Sequence, residues 1–213
     1  MLGYLAILSE GIVWTLVVSG SSVLIGIVLG LPIALLRLSR IGVLSIIGRS
    51  IIELFRSVPP IVLLFIVFYG VGTDIVTLEP LTAAISTLGI VTAVYMAEAY
   101  RAGFLSLGAG QWEAAYAICL SRRDTLFEVI LPQAVRVALP TMATISIGVL
   151  KDSALASTVG VRDITAIAVV ETNQTLKGME IYLVAAAIYI ALSIPIAFLS
   201  RRLHSRLSAM VSR

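Results

Sequence analysis

Five apolar stretches, each long enough or nearly so to cross a bilayer, dominate the chain: Ile12 to Leu36, Val58 to Ile75, Leu81 to Ala99, Ala134 to Leu150 and Ile181 to Leu199. A helix needs about 20 mostly apolar residues to span the hydrocarbon layer, where no water is present to satisfy an open backbone. Composition agrees: 59% of the residues are hydrophobic and 13% charged, with a mean hydropathy of +1.07. Soluble domains carry roughly 45–50% apolar and 25% charged residues. The runs are continuous, whereas barrel strands alternate, so a transmembrane barrel is disfavoured. The expectation is one all-α membrane domain of five spans covering residues 1–213.

Met1 to Gly11 has no basic n-region of the kind a cleaved signal peptide carries, so the first span is expected to stay in the protein. Cys119 and His204 are single residues of their types, which supports neither an internal disulfide nor a zinc site, and no cofactor is implied. Low-complexity tracts and strong internal repeats are absent.

Lys and Arg are distributed unevenly. Arg37, Arg40, Arg49 and Arg56 lie between the first and second stretches, Arg101, Arg122, Arg123 and Arg136 around the third connection, and Arg201, Arg202, Arg206 and Arg213 at the tail. Only Lys151, Arg162 and Lys177 fall elsewhere, and the loop around Asp74 and Glu79 has no Lys or Arg. The positive-inside rule then puts the amino terminus outside and the carboxyl terminus in the cytoplasm. The net charge of +3 reads as topology and attraction to anionic membrane lipid, with no nucleic acid as partner.

Small residues recur every fourth position at Ser22, Gly26 and Gly30 and again at Gly89, Ala93 and Ala97, faces along which helices can approach closely. Packing is the simpler role; passage of substrate along them cannot be read from spacing. Pro140 and Pro195 mark expected kinks. From Leu44 to Phe55, Arg49 and Glu53 sit four apart among isoleucines, as in a helix lying in the interface or leading into the second span. Ser57-Val58-Pro59-Pro60 should break it, because a residue before proline is pushed out of the helical region.

Between the third and fourth spans a short helix is expected from Gln111 to Ile118, then a turn. Ser121 and Asp124 have capping-box spacing and open a second helix running to about Ile130, with Leu131-Pro132 ending it and Pro132 placed in the first turn of the fourth span, where its missing N–H costs nothing. Glu113-Ala114-Ala115, three residues, Cys119, nine residues, Val129, one residue and Leu131-Pro132 resemble the EAA loop of the inner-membrane permease subunits of bacterial ABC importers. That pattern is E-A-A, three residues, G, nine residues, I, any residue, L-P. Cys119 stands for its Gly and Val129 for its Ile. Glu53, Arg56, Pro59, Tyr69 and Gly70 resemble the E-x-x-R-G-T-P and Y-G elements of polar amino acid permeases, with Ser57 and Val58 in place of Gly and Thr. Tyr95-Met96-Ala97-Glu98, Arg101, Gly103, Gly110 to Ala115, and Leu150-Lys151-Asp152-Ser153 through Val161 extend the likeness over Glu53 to Val161, about half the chain.

The resemblance implies the type I ABC importer permease fold in the bacterial inner membrane. It implies a complex of two permease subunits, identical or homologous, with two cytoplasmic ATPases and an external binding protein. The hairpin over residues 111–132 would be the coupling helix that fits a groove of the ATPase. Glu113 would be its polar anchor and Ala114 and Ala115 the small residues permitting close approach, with Cys119, Val129, Leu131 and Pro132 completing the signature. No P-loop occurs in the chain, so ATP hydrolysis is expected on the partner subunits. The transported solute is expected to be a polar amino acid, an opine or a compatible solute. Cys119 is expected to keep negative φ as a continuation of the first short helix, and to be reduced and partly shielded by the docked ATPase.

Polar groups at span ends are candidates for the pathway, because ionisable side chains in lipid are expensive. Glu98 and Arg101, three apart, are expected to pair, and Lys151 and Asp152 to neutralise each other, with Ser153 beside them. Tyr95 can stack on a solute or anchor the interface. Two other classes compete with an importer permease. A secondary transporter needs mid-membrane coupling acids or histidines and usually repeats, neither of which is evident; a membrane scaffold does not need the hairpin.

Overall fold

The computed structural model describes residues 2–71 and 78–211. Asp74, Ile75 and Arg213 therefore lie outside the described residues. A short helix α1 (Leu2–Ser9) precedes the first span, α2 (Ile12–Leu38). An amphipathic helix α3 (Gly42–Ser57) follows, then α4 (Pro60–Phe65), which runs on into a π-helical turn over Ile66–Val71. Next come α5 (Pro80–Leu105), α6 (Ala109–Ala117), the single turn α7 (Arg122–Asp124), a π-helical turn over Thr125–Ile130, and α8 (Leu131–Asp152). A 3₁₀ segment, Ser153–Val159, leads to α9 (Ile164–Thr175) and α10 (Gly178–Val211). There is no strand among the described residues.

Among the described residues four helical segments are long and apolar enough to span a membrane: Ile12–Leu38, Pro80–Leu105, Arg122–Val159 and Gly178–Leu203. Of the expected span Val58 to Ile75 the described part is a helix from Pro60 to Gly70, which passes the same test only together with α3, the two being bent by 96°. The break falls where the prolines put it: Val58 is extended (φ −102°, ψ 129°), Pro59 too (ψ 135°), and Pro60 opens α4. Pro140 and Pro195 each sit inside a helix that continues past them.

Helix α5 is central. Its apolar window is 61% buried, against 28% for α2 and 22% for each of the other two. The exposed faces of those three suit lipid, in which an apolar side chain gains nothing by turning inward. The two small-residue faces meet. Ser22, Gly26 and Gly30 of α2 and Gly89, Ala93 and Ala97 of α5 are all buried. A Cβ on Gly30 would lie 2.8 Å from Met96 Cβ and 2.9 Å from the Ala93 carbonyl oxygen. At the end of α5, Gly103 lies against the Ala134 carbonyl near the start of α8.

Helix α3 buries Gly48 and Ile52 and packs Ile52 with Ala34, Val94 and Ala97. Arg49 Nε and Glu53 Oε1, 2.6 Å apart, form an exposed ion pair beside that buried stripe. A second cluster unites Val18, Leu64, Ala84, Leu88 and Ala156, and a third joins Leu8 of α1 to Ile164, Ile167, Ile181 and Ile188 of α9 and α10.

Candidate functional site: a hairpin at one end of the bundle

Three contacts fasten the hairpin to the bundle. Trp112 of α6 stands edge-on to Phe104 of α5, centroids 6.4 Å apart. Gln133 Nε2 donates both to Gln111 Oε1 at 3.0 Å and to the Val129 carbonyl at 2.9 Å, tying α6 to α8. Ala115, 3% exposed, faces inward. This corrects the expectation that Ala114 and Ala115 both present a small surface to a partner. Ala114 is exposed and Ala115 belongs to the hairpin's own interior, because adjacent residues on a helix do not share a face.

The corner contradicts a second expectation. Cys119 has φ +59°, and helix α6 ends at Ala117. The Leu120 N–H donates to the Ala115 carbonyl (3.1 Å) and the Cys119 N–H to the Tyr116 carbonyl (3.0 Å). That pair of bonds is the Schellman motif, which satisfies the last carbonyls of a helix by placing the next residue in the left-handed region. Closing α6 so abruptly requires positive φ at residue 119, so a continuation of the helix is ruled out. Glycine meets the requirement without a Cβ clash, which accounts for the Gly of the EAA pattern at this position.

Ser121 caps the next helix as its spacing predicts: its hydroxyl accepts from the Asp124 N–H at 3.2 Å and donates to Asp124 Oδ2 at 2.6 Å. The expected stop at Leu131-Pro132 does not occur. The chain stays helical from Arg122 through Asp152, and Leu131 is itself helical (φ −61°, ψ −45°). Its N–H donates five residues back, to Leu126. Pro132 lacks an N–H, and a π-helical turn directly before it shifts the register so that the helix passes the proline instead of breaking. Thus the second arm of the hairpin and the fourth span are one rod.

Exposed on the hairpin are Glu113, Ala114, Tyr116, Ala117, Ile118 and Cys119, with Ile118 72% exposed. Val129 is half-buried, and Leu131 and Pro132 are exposed. Apolar side chains at the tip of a structure already fastened beneath are the arrangement of a docking surface.

The pathway candidates are not brought together. Glu98 accepts a two-pronged grip from Arg101 (Nη2 to Oε2 2.8 Å, Nε to Oε2 3.1 Å), so the expected ion pair forms. Tyr95 is covered by the guanidinium of Arg56, 5.2 Å from its ring centre, a contact sequence alone did not suggest. Both lie toward the hairpin end of α5, whereas Lys151, Asp152 and Ser153 lie at the far end of α8. Lys151 and Asp152 make no ion pair within 4 Å among the described residues, because successive side chains on a helix diverge, yet the lysine charge still acts on the carboxylate, so the expected neutralisation is partial. Ser153 is buried and donates to the Leu150 carbonyl at 2.8 Å.

One polar cluster was missed. Asp163, fully buried, caps α9 by accepting from the Ala166 N–H at 2.8 Å, and Tyr189 of α10 donates to its other oxygen at 3.4 Å. Thr15 of α2 accepts from the Ile164 N–H at 3.3 Å. Burial pushes the Asp163 carboxyl up to about 6, against the pull of those hydrogen bonds. An aspartate opening an apolar run was a legible cap signal; its burial against two spans was not.

A family model described as the binding-protein-dependent transport system inner membrane component matches residues 23–209. The chain is 36% identical over 187 residues to the L-cystine transport system permease protein TcyL of Bacillus subtilis (strain 168), covering 84% of this chain and 78% of that protein. It is 32% identical over 206 residues to the probable glutamine ABC transporter permease protein GlnP of the same organism, covering 95% and 94%. A crystal structure of an amino acid ABC transporter with histidines superposes with a TM-score of 0.88 at 32% identity, over 97% of this chain and 96% of that one.

Proposed function

Since the chain belongs to the inner membrane components of binding-protein-dependent transport systems, we propose that it carries a polar amino acid or a closely related solute and is driven through the hairpin. It is a multi-pass permease subunit of an ABC importer in the bacterial inner membrane, with the type I permease fold. An ATPase and a substrate-binding protein are its general partners. Hydrolysis takes place on two separate cytoplasmic subunits, and a second permease, identical or homologous, completes the pathway. The amino acid assignment is supported by relatives named for cystine and glutamine transport. The arginines gathered at the hairpin end, Arg37, Arg40, Arg101, Arg122 and Arg123, favour that end as the cytoplasmic one, with the amino terminus outside.

The observation that carries the coupling role is the exposure of Glu113, Ala114 and Tyr116 to Cys119 on a hairpin fastened by Trp112, Gln111 and the buried Ala115. Glu113 offers the ATPase a carboxylate and Ala114 a small surface against which a groove can close. The left-handed corner at Cys119 sets the angle between the arms, and Val129, Leu131 and Pro132 join the second arm to α8. Motion imposed at the tip reaches the membrane along one rod because the helix is unbroken from Arg122 to Asp152. Tyr95, Glu98, Lys151, Asp152 and Ser153 remain pathway candidates, those near Tyr95 and those near Ser153 at opposite ends.

The test is Ala114→Phe in the reconstituted complex. Overpacking a well-fitted contact costs about 1–3 kcal/mol, so substrate-stimulated hydrolysis should fall roughly five-fold or more while membrane insertion is unchanged. Unaltered hydrolysis removes the hairpin from coupling.

A further inference from the structure

A groove of about 1290 Å³ opens between α2, α5, α8 and the hairpin. Its walls are apolar, with Val28, Leu31 and Leu35 of α2 on one side and Val135 of α8 on the other. All four side chains are well exposed, and α2 is a span of which little is covered by protein. In a bilayer this opening faces the acyl chains.

The hairpin end of the groove is different. Arg40, just past the end of α2, and Arg122, at the start of the second arm, both line it. Neither has a carboxylate within 4 Å among the described residues. Glu113 is there as well, unpaired by the same criterion, and leaves one net positive charge. A space that is apolar along its length and cationic at the interface calls for an occupant with an apolar body and an anionic head.

A second copy of this chain does not have that form. Its spans carry arginine at this same end: Arg37 in the last turn of α2 and Arg40 just past it, Arg101 near the end of α5, Arg201 and Arg202 in α10. The carboxylates of α3 and α5 at that end, Glu53 and Glu98, are already gripped by Arg49 and Arg101. A helix of the partner copy would set positive charge beside Arg40 and Arg122. An acidic phospholipid of the adjoining leaflet brings apolar chains and a phosphate on one molecule.

We propose that this groove is a binding site for one anionic phospholipid per chain, with its phosphate on Arg40 and Arg122 and its acyl chains along Val28, Leu31, Leu35 and Val135. Because Arg40 directly follows α2 and Arg122 opens the second arm of the hairpin, the phosphate bridges the end of the first span and the coupling element. The placement in the cytoplasmic leaflet rests on the hairpin reading above; the lipid site itself does not.

The experiment is native mass spectrometry of the whole transporter complex, released from mild detergent after titration with dioleoyl phosphatidylglycerol or dioleoyl phosphatidylcholine. Wild type should retain phosphatidylglycerol preferentially, one molecule per permease chain. Arg40→Gln or Arg122→Gln should each weaken retention about five-fold, and the pair about thirty-fold. Arg40→Lys with Arg122→Lys should keep it, which guards against a folding defect in the glutamine pair. Neutralising Arg201 and Arg202, at the same end but outside the groove, should leave retention intact.

Equal retention of the two lipids overturns the proposal, as does a loss on Arg201 and Arg202 neutralisation as large as that on Arg40 and Arg122. A Leu31→Cys protein, in a Cys119→Ser background, that cross-links to the second permease or to the ATPase would show a protein occupant and also overturn it. A wrong hairpin reading would appear separately, as unchanged hydrolysis in Ala114→Phe with lipid retention as predicted.

Discussion

Cys119→Gly should tighten the corner of the hairpin. Cys119 sits at φ +59°, where an L-residue bears about 1–2 kcal/mol from the approach of its Cβ to the following carbonyl oxygen. Glycine escapes that clash but gives up about 0.5–1 kcal/mol of unfolded-chain entropy, so a net gain of about 0.5–1 kcal/mol remains, roughly a two- to five-fold change in local opening. The gain is local because the bonds it protects are local: the Leu120 amide to Ala115 and the Cys119 amide to Tyr116. Hydrogen exchange of the assembled transporter, followed on peptides covering residues 116–121, reads these amides. Glycine should slow exchange by that factor. Cys119→Ala should leave it nearly unchanged, since alanine bears the same clash, and Cys119→Val should speed it, because a branched side chain tolerates the left-handed region least. If alanine protects as well as glycine, or if glycine speeds exchange, the corner is not governed by backbone strain.

The remaining expectations address the bundle. Gly30→Leu should drive a side chain into Met96 and the Ala93 carbonyl and lower thermal stability by about 1–3 kcal/mol; Gly20→Ala, with nothing within 4 Å of the added carbon, should not. A cytoplasm-active reporter fused after Arg213 should work and a periplasm-active one should fail; the reverse result would refute the orientation. The Asp163 carboxyl holds its proton up to about pH 6 in the folded protein and to about 3.9 in an unfolded chain. Its contribution is therefore fully present below about pH 4, declines as pH rises through 6 and is flat above, a difference of about 3 kcal/mol at most. Asp163→Asn keeps a capping residue and should remove that slope, seen as the difference between variant and wild type in thermal unfolding from pH 4 to 8.

What the sequence made legible was whatever depends on short-range rules. The paired prolines at 59 and 60 break the chain where they should, the serine at 121 caps, and the small residues of α2 and α5 face each other. What it hid depends on neighbours distant in the chain. Lys151 and Asp152 are adjacent in sequence and separated on the helix surface. Asp163 looks like an ordinary cap until α2 and α10 are seen to close over it. Arg56 reaches Tyr95 only because α3 folds back across α5.

Pro132 stands in the first turn of α8, where its missing N–H costs nothing, but the helix before it does not end there. The π-helical turn over Thr125–Ile130 changes what the hairpin can do. A break at Pro132 would have let the tip pivot independently of the fourth span, absorbing any displacement at a flexible joint. With the helix unbroken, a rotation of the tip must tilt α8, and α8 lies against the end of α5 where Gly103 meets the Ala134 carbonyl. A Cβ at 103 would not fit there, so the two backbones touch directly, and α5 is the most buried span of the bundle. Displacement of the hairpin therefore has to appear as a rigid shift of α5 and α8 together, or as loss of their contact.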